Sequence, residues 1–182
     1  MCLRHARNYA ATCSSKARSI NMNIPIVVAI GAAIALLGVG AVLTPIGPWY
    51  VSLRKPRWNP PNWLFGPAWT VILGLWAWAG YLSWHGATGT AGQRAVLILF
   101  GLNALLHLLW SPLFFRLRRP DLAFYEITVL LGSIIAMLVY LPVYSVTASW
   151  LIVPYATWVS FASCLNWTIV RLNRTAAIPS QI

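Results

Sequence analysis

The chain has 182 residues, of which 59% are hydrophobic and only 8% are Asp, Glu, Lys or Arg. A water-soluble domain carries about 25% charged residues, so a surface facing water on every side is excluded and lipid must cover most of the chain. The formal charge of +11 sets 13 basic residues against Asp121 and Glu126 alone. These cations collect at the ends of apolar segments, with no basic helix or basic-aromatic module, which points to lipid headgroups as partners and away from nucleic acid.

Residues 1–21 are basic, contain Ser and lack acid. They read either as a transit-type extension or as residues ahead of a start at Met22, and they have no apolar core for a secretory signal. The domain proper is expected over 22–174, with a polar tail over 175–182. Five apolar stretches near membrane-spanning length follow in order: Ile24 to Thr44, Trp63 to Trp84, Arg94 to Phe115, Leu122 to Leu141, and Ala148 to Val170. Pro45, Pro48, Pro60, Pro61, Pro120 and Pro142 fall between them, where a missing backbone donor costs little. Trp49, Trp63, Trp84, Trp150, Tyr81 and Tyr144 sit near span ends, as an interfacial belt would. No segment alternates polar and apolar over ten residues, which argues against a barrel. The expected fold is an all-α integral membrane protein, multi-pass, built as a five-transmembrane-helix bundle.

Loop charge orients such a bundle. Arg54, Lys55, Arg57, Arg116, Arg118, Arg119, Arg171 and Arg174 fall on one side, eight in all; Arg94, Arg4, Arg7, Lys16 and Arg18 fall on the other. The first loop and the C-terminus are therefore expected on the cytoplasmic side. Cys2, Cys13 and Cys164 have no metal-ligand spacing, and Cys164, inside an apolar run, is expected to be a packed thiol.

Eleven tryptophans are the least ordinary feature of the composition. Trp69, Trp76, Trp78, Trp110, Trp158 and Trp167 fall inside spans, where an indole either packs helices or offers a stacking face to a flat apolar ligand. The loop from Trp49 to Trp63 favours the second reading. Its prolines push the preceding residues toward extended geometry, so it reads as a stiff strap able to cap a cavity. Trp58 and Trp63 would offer rings, and Arg54, Lys55 and Arg57 cations for an anionic group or a lipid headgroup. On span three, Asn103, His107 and Trp110 share a face; on span five, Tyr155, Trp158, Ala162 and Asn166 do. Ala162 would leave a gap beside the Trp158 indole. Glu126 is expected near a span end, paired with Arg116, Arg118 or Arg119.

Trp49-Tyr50, Lys55-Pro56, Trp58, Pro60-Pro61 and Phe65-Gly66-Pro67-Ala68-Trp69-Thr70 resemble the signature of the translocator / tryptophan-rich sensory protein family. Trp110-Ser111-Pro112-Leu113-Phe114-Phe115, Ala123 with Glu126, Pro154 to Ser163 and Leu165-Asn166-Trp167 are similar to its later helices. The resemblance covers about residues 24–173. It implies a pocket under the first loop that binds porphyrins, including haem and protoporphyrin IX, as well as synthetic isoquinoline or benzodiazepine compounds. It also implies a sensory, stress-related or transport role. Trp69, Trp110, Trp158 and Ala162 carry over as pocket-lining.

The span-three polar pair of the family is usually Gln and Asn; here it is Asn103 and His107. His107 is then either an axial ligand to haem iron or a hydrogen-bonding substitute for Asn. A homodimer is compatible with the family, although its small-residue packing positions are Ile98 and Leu102 here, with Gly101 out of phase. Trp167 stands where a sterol motif needs tyrosine, so sterol binding is not supported.

No nucleophile with a base, no carboxylate pair and no metal cluster is evident. Neither a catalytic set nor a required cofactor is therefore assigned. The competing function is an enzyme that degrades porphyrin in light and oxygen with pocket tryptophans as redox partners. An ion-coupled carrier is disfavoured by the single intramembrane acid and the lack of an inverted repeat.

Overall fold

A computed structural model describes residues 24–174; the N-terminal extension and the polar tail lie outside the described residues. Six α-helices run through them: α1 Ile24–Leu43, α2 Pro48–Ser52, α3 Asn62–Gly86, α4 Gly89–Ser111, α5 Pro120–Tyr140 and α6 Val146–Arg174. A π-helical turn, Pro112–Arg116, extends α4, a 3₁₀ turn, Leu141–Val143, joins α5 to α6, and no strand occurs among the described residues. The all-helical class is as expected.

Four of these helical segments are long and apolar enough to cross a membrane: Ile24–Leu43, Gly89–Arg116, Pro120–Val143 and Val146–Asn173. The expected second span, Trp63 to Trp84, is not among them. It lies within α3, whose 25 residues would extend roughly 37 Å, so length does not exclude it. Its mean hydropathy is lowered instead by Trp63, Trp69, Trp76, Trp78 and Trp84, which are amphipathic indoles and not aliphatic side chains.

The first loop departs from the expected strap at its start. Pro48 occupies the first turn of α2, where its fixed φ suits a helix and its missing N–H is no loss. Extended backbone begins at Leu53 (φ −63°, ψ 135°) and persists at Pro61 (φ −64°, ψ 144°). A turn closed by the Asn59 amide on the Pro56 carbonyl lies between them.

Helices α3, α6, α5 and α4 pack in a ring, each against the next. Ile134, Met137, Leu141, Ala148 and Ile152 are fully buried where α5 meets α6. At mid-depth Asn103 ties three helices together. Its Oδ1 accepts from the Trp76 indole at 3.0 Å, and its Nδ2 donates to Ser133 Oγ at 2.9 Å. Replacing Asn103 with Leu keeps the volume and leaves the buried Trp76 N–H unpaired. The expected cost is about 1–2 kcal/mol of stability, read by thermal unfolding in detergent. The double variant with Trp76→Phe should recover part of it.

Candidate functional site

The half of the bundle next to the first loop surrounds a partly open cavity of about 530 Å³. Each long helix contributes from the part nearest that loop: Leu36 to Ala41 of α1, with Thr44 just beyond its end, Asn62 to Leu73 of α3, His107 to Ser111 of α4, Ile127 and Leu130 of α5, and Trp158 to Ile169 of α6. Tyr50, Asn59 and Asn62 bring polar atoms to the loop end, where the Tyr50 hydroxyl donates to Asn62 Oδ1 at 3.4 Å. Towards the bundle centre the wall is aliphatic, with Leu36, Leu37, Leu73, Leu130 and Val159. The cavity is thus polar under the loop and apolar below.

Aromatic rings make the middle of the wall. Trp69 stands edge-on to three neighbours: His107 at 4.6 Å, Tyr155 at 6.0 Å and Trp158 at 6.4 Å between centroids. Perpendicular pairs of this kind suit the ring quadrupole. Phe65 and Phe161 also pack against Trp158, each with its centroid 5.9 Å away. Trp110 is stacked on Phe114 at 5.1 Å with an interplanar angle of 24°. Phe114 belongs to the π-helical turn. Pro112 supplies no N–H to an α-helical ladder, and the wider turn closes instead through the Leu117 amide on the Pro112 carbonyl at 2.9 Å. Such turns are often found at functional sites.

Of the residues expected at the site, Trp69, His107, Trp110, Trp158, Ala162 and Asn166 all line this one cavity. Asn103 is turned instead to Trp76 and Ser133. Trp58 is 48% exposed and meets the ring of Phe161 at 5.6 Å, and Trp63 is 71% exposed; neither is in the wall. Lys55 folds back under the loop, its ammonium donating to the carbonyls of Tyr50 and Leu53 and lying 4.2 Å from the Tyr50 ring centre. Burial pulls that ammonium below the ordinary lysine range. Arg54 and Arg57 are exposed beside it.

The wall also includes residues the sequence did not single out. Tyr50 and Phe65 sit inside the quoted motifs and were within reach of that signal. The α1 and α5 contributions carried none, because a helix apolar on every side does not advertise the face that meets a cavity.

Two further expectations are corrected. Glu126 does not pair with the loop arginines: Arg119 is taken by Asp121, with Nη2 to Oδ2 at 2.7 Å. Glu126 is 7% exposed and neither carboxylate oxygen has a hydrogen-bond partner. Proximity in sequence favoured Asp121, two residues from Arg119. Cys164 is exposed, because it falls on the side of α6 opposite the stripe that carries Trp158, Ala162 and Asn166. Burial without a partner also holds for the indole N–H groups of Trp110 and Trp158 and for the amide of Asn166.

The family model described as TspO/MBR matches residues 25–172. Among similar proteins, the tryptophan-rich protein TspO of Archaeoglobus fulgidus is 38% identical over 155 residues, covering 84% of this chain and 99% of that protein. The tryptophan-rich sensory protein of Cereibacter sphaeroides is 32% identical, covering 74% of this chain and 82% of its own length. The human translocator protein is 32% identical over 126 residues, 69% of this chain and 75% of that protein. With the family match running through all five long helices and every wall of the cavity, the chain belongs to the TspO/MBR family and is an integral membrane protein.

Proposed function

We propose that this protein is a five-span membrane receptor or translocator that binds porphyrins, haem and protoporphyrin IX among them, in the cavity beneath the first loop, in a sensory or stress-related role. In this reading α3 is the remaining span. Its indoles are tolerated because Trp69 and Trp76 turn inward, while Trp63 and Trp84 sit at its ends, at headgroup depth. The same reading puts the first loop and C-terminus on the cytoplasmic side; the loop cations Arg54, Lys55 and Arg57, with those after α4 and at the end of α6, support it.

The observation that carries the proposal is the aromatic wall. A cavity of about 530 Å³ lies within the range of small-molecule sites. Trp69, Trp110 and Trp158 give it flat apolar faces in differing orientations, so one ring system can stack on one indole and meet the edge of another. The polar loop end suits the acidic substituents of a porphyrin, with Arg54 and Arg57 exposed beside it.

Titrating protoporphyrin IX into the purified protein in detergent, in the dark, with Trp fluorescence as readout, tests this. Saturable quenching near one ligand per chain is expected. Shallow quenching that never saturates would refute porphyrin binding.

His107 adds a finer expectation. Its Nδ1 lies 3.5 Å from the Tyr155 hydroxyl, and in the ligation reading Nε2 would be the nitrogen offered to haem iron. Changing His107 to Ala is therefore expected to weaken haem by roughly tenfold or more while sparing metal-free protoporphyrin. A shift in the haem absorption band should accompany the loss. Equal weakening of both ligands would assign His107 to shape and hydrogen bonding alone.

A further inference from the structure

The first loop carries polar atoms to the cavity mouth, yet from Leu53 to Pro61 it has almost no regular structure of its own. Irregular backbone needs partners for its N–H and C=O groups. Asn173 supplies them at one point, from 119 residues away: its Oδ1 accepts from the Arg54 amide at 3.1 Å, and its Nδ2 donates to the Arg54 carbonyl at 3.0 Å. The other Nδ2 hydrogen goes to the Ile169 carbonyl, one turn back on α6, at 2.8 Å. Two carbonyls on one side and an N–H on the other fix the orientation of the amide. One side chain thereby meets both backbone groups of Arg54, as a paired strand would. The Trp58 ring on Phe161, 5.6 Å between centroids, is a second contact between the loop and α6. The helix that presents Trp158, Ala162 and Asn166 to the cavity therefore also holds its cover, and the Ile169 carbonyl that orients Asn173 belongs to a residue of the cavity wall.

We infer that Asn173 is a latch: its clasp on Arg54 keeps the first loop closed over the cavity and sets the rate at which an occupant leaves. The statement about an occupant rests on the proposed binding function; the statement about access to the cavity does not. Asn173 is a positioning residue that touches the loop and not the ligand. It should therefore govern exchange rates much more than the stacking energy in the cavity.

The test compares wild type with Asn173→Leu and Asn173→Asp in detergent. Hydrogen exchange reads the Arg54 amide directly. Access is read by maleimide labelling of Ala162→Cys in a background where Cys2, Cys13 and Cys164 are Ser. Loss of the two loop hydrogen bonds in Asn173→Leu predicts roughly tenfold faster Arg54 exchange and roughly tenfold faster labelling. Asn173→Asp keeps the acceptor for the Arg54 amide but loses both donors, so its effect should be intermediate. Ser52→Ala removes only a hydrogen bond from Ser52 to the Trp49 carbonyl and should change neither rate. Protoporphyrin IX preloaded in the dark should leave Asn173→Leu faster than wild type by a similar factor. Unchanged Arg54 exchange, or faster exchange with unchanged labelling, overturns the latch. Faster exchange and labelling in a protein that never binds porphyrin would uphold the latch and refute the binding proposal.

Discussion

Replacing Trp158 with Ala is expected to raise the Kd for protoporphyrin IX by roughly 10- to 100-fold, the loss of about 1.5–3 kcal/mol of ring contact. The expectation follows from position. Trp158 is half-buried on α6, lines the cavity, and is contacted by the rings of Phe65, Phe161 and Trp69. Its plane is therefore set by protein contacts before any ligand arrives, so little ordering cost remains at binding. The same contacts mean that Ala also leaves a void among rings, and reduced folding could mimic lost affinity. Trp158→Phe separates the two. Phe keeps a flat face and drops an indole N–H that has no acceptor, so its stability should stay close to wild type. Its smaller ring should raise Kd by less than Ala does. Fluorescence titration gives the affinities and thermal unfolding the stabilities. If Ala and Phe lose stability to different degrees yet bind as wild type does, Trp158 packs the bundle and the ligand lies elsewhere.

The stripe on α6 shows what could be read before the structure. Trp158, Ala162 and Asn166 are spaced four apart, which places them on one side of any α-helix whatever its neighbours, and all three do line the cavity. His107 and Trp110 were legible for the same reason. Asn103 shares their side of α4 in sequence, but its amide is drawn to Trp76 and Ser133, partners on two other helices. A pattern within one helix does not reveal which of several inward directions a side chain takes. The π-helical turn after Ser111 was equally hidden: proline marks where the α-ladder must change, not whether it widens or stops. Asn173 was invisible as a latch because its partner is the backbone of Arg54, and backbone hydrogen bonds leave no trace in residue identity. Glu126 misled for a related reason. Charge complementarity in sequence named three arginines, and the geometry of the turn before α5 gave Arg119 to Asp121.

Substituting Gly86 with Ala should destabilise the fold by about 3 kcal/mol or more, the largest stability loss expected here, while leaving the affinity of the folded fraction for porphyrin unchanged. Gly86 is the last residue of α3, at the end of the bundle away from the cavity. A Cβ built there would stand 1.9 Å from the Tyr144 carbonyl oxygen and 2.8 Å from its carbon. Both are backbone atoms, so no side chain can rotate aside. Tyr144 cannot retreat cheaply either. Its amide and that of Ser145 both bond to the Leu141 carbonyl, at 2.9 and 2.8 Å, and Ser145 Oγ caps the start of α6 by accepting from Ala148 at 3.2 Å. Moving the carbonyl would unpick the turn that joins α5 to α6, where Leu141 and Ala148 are fully buried. Gly74 supplies the contrast within the same helix. A Cβ at Gly74 meets nothing within 4 Å, so Gly74→Ala should be neutral or stabilise by about 0.5–1 kcal/mol through helix propensity. Thermal unfolding of the two variants side by side measures the difference. Equal midpoints would mean that α3 and the α5–α6 turn do not meet as closely as the structure places them.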